Sequence, residues 1–121
     1  LKRYRDAEEI FKKSLAARPK SDILNGLGYL YTAEKRYGEA EKAFRRSVSI
    51  NPRNGGYRGL AELYRAQGRT KAAIGMFSED ITVNPEPALS QRALGELFRV
   101  LGRNAEAEEM FRKADKASRG P

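Results

Sequence analysis

Apolar residues return along this chain at three- and four-residue steps, in blocks separated by glycine, proline and asparagine. In residues 37–50, Ala40, Phe44, Val48 and Ile50 fall near one helical face, while Glu39, Glu41, Lys42, Arg45 and Arg46 lie elsewhere. This patterning predicts seven helices, at roughly 1–17, 21–34, 37–50, 54–67, 70–83, 88–101 and 104–117. Gly68-Arg69-Thr70 and Gly102-Arg103-Asn104 fall between paired helices. Glycine there suits the left-handed residue that ends a helix, and Thr70 or Asn104 can cap the next one. Pro19, Asn51-Pro52 and Asn84-Pro85 are expected to stop one helix ahead of another.

The blocks repeat. Ala7, Phe11 and Pro19 recur as Ala40, Phe44 and Pro52, then as Ala73, Phe77 and Pro85, and Ala107 with Phe111 follows without its proline. Ahead of each later copy, Leu27-Gly28 with Tyr31, Leu60-Ala61 with Tyr64, and Leu94-Gly95 with Phe98 align at a spacing of 33 to 34 residues. Such a period marks a stacked array whose units bury their faces against each other. Gly28, Ala61 and Gly95 are small so that paired helices can approach. Tyr31, Tyr64 and Phe98 are expected to fill space beside Ala40, Ala73 and Ala107, and Phe44, Phe77 and Phe111 to bridge to the next repeat. Full burial of one such ring contributes on the order of 1.5–3 kcal/mol.

The pattern resembles the tetratricopeptide repeat family, whose signature runs W-x-x-L-G-x-x-Y, A-x-x-x-F, P. The resemblance covers nearly the whole chain: half a repeat in residues 1–20, then repeats at 21–53, 54–87 and 88–121 of one domain. It implies an all-α, right-handed superhelix of antiparallel helix pairs, acting as a non-enzymatic scaffold for protein–protein interaction. There are departures. Leu24, Tyr57 and Gln91 replace the tryptophan, Lys35 stands at an inter-helix glycine, and Asp80 occupies a usual alanine position, changes expected to weaken individual contacts. The chain opens at Leu1 within a repeat, so a piece of a longer protein is expected.

Composition narrows the chemistry. The 121 residues contain neither cysteine nor histidine, which removes disulfides, thiol nucleophiles, the usual general base and the commonest transition-metal ligands. No apolar run approaches the roughly 20 residues needed to cross a bilayer. Gly26-Leu27-Gly28 lies inside a predicted helix, with no preceding strand and no following Lys-Ser or Lys-Thr, so it reads as packing glycine and not as a phosphate loop. The carboxylates of Glu8, Glu9, Glu79, Asp80, Glu106, Glu108 and Glu109 alternate with Lys and Arg on the second helices, as on a solvated face. No cofactor and no catalytic residue is expected.

The net charge of +8 points to an acidic partner, with solubility as the plainer explanation. In the family, groove-facing residues of the first helices read the partner. By alignment these rows are Asn25, Arg58 and Arg92; Tyr29, Glu62 and Glu96; and Thr32, Arg65 and Arg99. The repeated Arg-Glu-Arg ladder can satisfy itself as helical ion pairs, yet it leaves the groove net positive and suited to an acidic protein segment. The two-carboxylate clamp by which some family members hold a chaperone C-terminus is not supported, because its positions hold Asn25, Tyr29, Gly59, Leu89 and Ala93. RNA binding along the basic surface is the alternative, although the aromatics that would stack bases are used in the core. Two open faces, Tyr4, Ala7, Ile10, Phe11 and Leu15 on the first helix and Met110, Phe111 and Ala114 on the last, are expected to be sticky and to favour self-association.

Overall fold

The computed structural model describes residues 2–17 and 20–119; Pro19, expected to break the chain, lies outside the described residues. Among the described residues there are seven helices and no strand: α1 Lys2–Ala17, α2 Ser21–Ala33, α3 Tyr37–Ile50, α4 Gly56–Ala66, α5 Thr70–Val83, α6 Ala88–Val100 and α7 Asn104–Arg119. α2 packs on α3, α4 on α5 and α6 on α7. These hairpins are joined by α1 on α2, α3 on α4 and α5 on α6, and α2 also reaches α4. Each unit touches its neighbours in sequence, which is the architecture of an α-solenoid.

One turn is used in all three hairpins. Gly68 and Gly102 adopt φ of 72° and 76°, and Lys35 takes the same left-handed conformation at 61°. The N–H groups of Arg36, Arg69 and Arg103 each donate to the carbonyls of Tyr31, Tyr64 and Phe98 at 2.8 Å, closing Schellman motifs. The three guanidinium groups then lie over those same rings at 4.5, 4.4 and 4.5 Å from the centroids. The contact that usually joins the residue past the turn to the last helical turn is therefore made here by arginine on an aromatic face. Thr70 and Asn104 do not cap. They are already helical, and the Arg69 and Arg103 carbonyls accept the first helical bonds, from Ala73 and Ala107. The side chain of Arg103 pairs instead with Glu106 at 2.7 Å, as Arg36 does with Glu39 at 2.6 Å.

The core explains the small residues. Phe44 has no exposed surface, and a Cβ at Gly28 would lie 2.5 Å from its ring. A Cβ at Gly59, on the next hairpin, would overlap the same ring. Phe44 thus bridges two repeats by fitting between two glycines, of which only Gly28 stands at a signature position of the repeat. The same fit recurs for Gly26 against Phe11, at 2.7 Å, and for Gly95 against Phe111, at 2.9 Å. Asp80, expected among the carboxylates of a solvated face, is buried instead, because neighbouring polar side chains satisfy it. It is 1% exposed, accepts from Ser90 Oγ at 2.6 Å and Asn84 Nδ2 at 3.2 Å, and so is held at both ends of the α5–α6 connection. At the preceding joint Ser47 Oγ donates to the Ser21 carbonyl at 3.1 Å.

Successive repeats are also tied by a phenol. Tyr31 Oη donates to Glu8 at 3.0 Å, across α1 and α2, and Tyr64 Oη donates to Glu41 at 3.1 Å, across α3 and α4. Lys12 and Arg36 flank Glu8, both at 3.0 Å, and hold its carboxyl down at about 2. Arg45 lowers Glu41 in the same way. At the third joint the equivalent residues are Phe98 and Ile74, both in the apolar cluster. Hydroxyl and carboxylate have disappeared together.

Candidate partner-binding groove

The predicted groove residues lie on α2, α4 and α6, and the structure gives them unequal surroundings. Asn25 Nδ2 donates to the Asn54 carbonyl at 2.9 Å, which ties α2 to the approach to α4. Tyr29 is exposed at 38% and meets Phe44 edge-on, with ring centroids 5.0 Å apart. Burial of its lower part pushes the phenol pKa up, while the neighbouring Arg58 guanidinium pulls it down. Thr32 turns back to its own helix, donating to the Gly28 carbonyl at 2.8 Å.

The arginine ladder divides. Arg65 lies 3.7 Å from Glu62 on its own helix and 3.1 Å from Glu96 on α6, so it bridges two repeats and is neutralised. Arg99 lies over the Phe111 ring, 4.7 Å from its centroid, and covers the aromatic that the last helix was expected to leave open. Arg92 approaches Asp115 of α7 at 3.8 Å. Arg58, like Arg99, has no carboxylate partner among the described residues, and the Arg58 Nε is buried without a hydrogen-bond partner. Its guanidinium stands beside the Tyr29 phenol, with Glu62 also near that ring.

Arg58, Tyr29 and Glu62 are therefore brought together from two repeats, Arg65 and Glu96 form a second pair beside them, and Arg92 and Arg99 belong to the α6–α7 hairpin. Alignment of the rows gives positions along the helices but cannot tell which arginines find carboxylates, because pairing runs between helices. Of the two terminal faces, Ile10 on α1 is 65% exposed, whereas Ala114 on α7 is fully buried within its hairpin. Among the described residues, no cluster of carboxylates could hold a metal and no helix is long and apolar enough to cross a membrane.

Repeated hairpins, a shared turn and side chains gathered on the first helices define a helical-repeat scaffold. Tetratricopeptide repeat family models match residues 21–54 and 58–121. The chain belongs to the tetratricopeptide repeat family, whose members are typically non-enzymatic scaffolds for protein–protein interaction. Among solved structures, a crystal structure of MamA superposes with a TM-score of 0.79 at 22% identity, over 96% of this chain and 69% of that one. MamA MSR-1 gives 0.67 at 24% identity, over 92% and 65%, and MamA AMB-1 gives 0.66 at 26%, over 93% and 63%. The chain thus spans about two thirds of the length of these proteins, and the likeness shows the fold. A comparison with curated proteins found no match.

Proposed function

We propose that the groove along α2, α4 and α6 binds an acidic segment of a partner protein, with Arg58 as its anchor. The observation that carries this reading is the contrast within the ladder: Arg65 has carboxylates and Arg58 has none among the described residues. A guanidinium already immobilised beside a phenol gives up little side-chain freedom on meeting a carboxylate, and its planar fork suits two-point recognition. Tyr29 supplies a partly exposed ring next to it, a residue type favoured at binding hot spots. Glu62 and Glu96 hold Arg65 and would repel a continuous run of acid, so the preferred segment carries spaced carboxylates.

The test uses the chain as bait in a pull-down read by mass spectrometry, comparing wild type with the pair Arg58→Glu and Arg92→Glu. Acidic partners captured by the wild type should be lost with at least tenfold lower affinity while helical circular dichroism is unchanged. Undiminished capture by the double reversal contradicts the groove reading. Capture of RNA with a steep log-linear salt dependence would favour a nucleic-acid partner instead. A second reading, self-association through α1, rests on the exposure of Tyr4 and Ile10. It requires a light-scattering mass that rises with concentration and falls back in Ile10→Lys.

A further inference from the structure

On the opposite side of α2 from Tyr29 and Asn25, a cleft of about 370 Å³ opens between α1 and α3. Its floor is apolar, formed by Leu15, Leu24, Leu27 and Ala43. Its existence follows chiefly from one small residue, Ala43. At the positions equivalent to Leu24 the later repeats carry Tyr57 and Gln91, and at those equivalent to Ala43 they carry Met76 and Met110. The first joint lacks the side chains that fill the others.

The rim is basic. Lys42 and Arg46, one turn apart on α3, line the cleft and form no ion pair among the described residues. Lys12 on the opposite wall is engaged with Glu8, and Glu39 is engaged with Arg36, so the two free cations set the charge of the opening. An apolar pocket with a few convergent polar groups is the usual form of a ligand site, and such sites run from about 300 to 1,000 Å³. This one is at the small end, with room for one large side chain together with parts of the residues flanking it.

We propose that this cleft is a second partner-binding site, which takes one bulky apolar side chain, aromatic or leucine-like, from a protein segment with carboxylates beside it. The apolar anchor would enter over Leu24 and Ala43, and the flanking acids would meet Lys42 and Arg46. Charge complementarity sets the acidic character, and the floor sets the anchor. Recognition by an anchor in a pocket is independent of the groove, because no residue is shared with it.

The natural repeats supply the control. Ala43→Met places at this joint the residue that α5 and α7 already carry there, so the variant should fold, with a thermal midpoint at or above the wild-type value. The probe is a fluorescein-labelled acidic pentapeptide with a central phenylalanine, followed by anisotropy, beside its alanine-centred counterpart. The phenylalanine peptide should bind, the alanine peptide should bind at least tenfold more weakly, and Ala43→Met and the pair Lys42→Glu with Arg46→Glu should each cost tenfold or more. Arg58→Glu should leave this binding unchanged, which separates it from failure of the groove reading. Equal binding of the two peptides, or full binding by Ala43→Met, overturns the proposal. So does binding of dodecanoate, read by calorimetry, with no binding of the peptide, which would mark a lipid chain as occupant, and so does concentration-dependent self-association abolished by Ala43→Met, which would mark a second copy.

Discussion

The first two joints of the solenoid and the third solve one packing problem in two ways. Where α1 meets α2 and α3 meets α4, a tyrosine hydroxyl reaches a glutamate of the previous repeat, and basic side chains hold that glutamate charged. Where α5 meets α6, phenylalanine and isoleucine take both places. The shared feature is the ring of the first helix, buried in every case at 7% exposure or less, with an arginine from the turn over its face. The ring builds the joint, and the phenol and carboxylate are a matched pair that is kept or lost as a unit. A buried hydroxyl without its acceptor costs about 1–3 kcal/mol, whereas replacing both partners by apolar groups can be close to neutral.

The largest expected effect tests whether rings carry the joints. Phe44→Ala removes the residue seated between Gly28 and Gly59 and should destabilise by about 3–5 kcal/mol in denaturant unfolding. A loss smaller than that caused by Glu41→Gln would reverse the ranking of ring above phenol–carboxylate pair.

Next in size is the mismatch. Phe98→Tyr puts a hydroxyl opposite Ile74 and should cost about 1–3 kcal/mol. Adding Ile74→Glu should recover most of that cost, which a double-mutant cycle would read as coupling between the two sites. Additive effects would show that Tyr31–Glu8 and Tyr64–Glu41 are incidental contacts.

Acid titration separates the joints further. Glu8, ordinarily near 4.5, is held at about 2 in the folded chain. A lowered carboxylate stabilises the fold above its unfolded pKa, and that contribution is lost as pH falls from about 4.5 toward 2. Thermal melts should therefore decline over that window, less steeply in Glu8→Gln, and Ile74→Leu should leave the slope alone. At the other end Tyr31 is pushed up to about 12 by burial and by Glu8. Its contribution is complete below about 10 and is lost as pH rises toward 12.

The smallest effect concerns the turns. Lys35 holds a left-handed conformation that glycine holds in the other two hairpins. Lys35→Gly should raise stability by about 0.5–1 kcal/mol, since relief of the steric cost outweighs the added freedom of the unfolded chain. A loss would mean that the lysine side chain contributes more than its backbone costs.

The fold was legible because its determinants are local and repeated. Ala-x-x-x-Phe, the small residue before each aromatic and the turn glycines place all seven helices, with two-residue boundary differences at the start of α4, where Gly55 in the left-handed region delays the start to Gly56, and at the end of α7, which runs on to Arg119. Asn51 and Asn84 each accept from the N–H two residues on, so the expected breaks between repeats have a matching geometry. What could not be read depends on partners distant in the chain. Gly59 is unremarkable in the sequence until Phe44 is set against it, and Asp80 looks like a weakened position until Ser90 and Asn84 are found beside it. Arg58 and Arg65 are alike in the ladder. Only the spacing of α4 and α6 decides that Glu96 meets Arg65.

The division between Arg58 and Arg65 is the centre of the functional account, and an amide NMR titration of the labelled chain with a synthetic peptide of alternating glutamate and serine tests it most directly. The account predicts shift changes concentrated at Tyr29, Arg58 and Glu62, weakened at least tenfold by Arg58→Gln and much less by Arg65→Gln. Shift changes that bypass those three residues, or equal losses in the two variants, would contradict it.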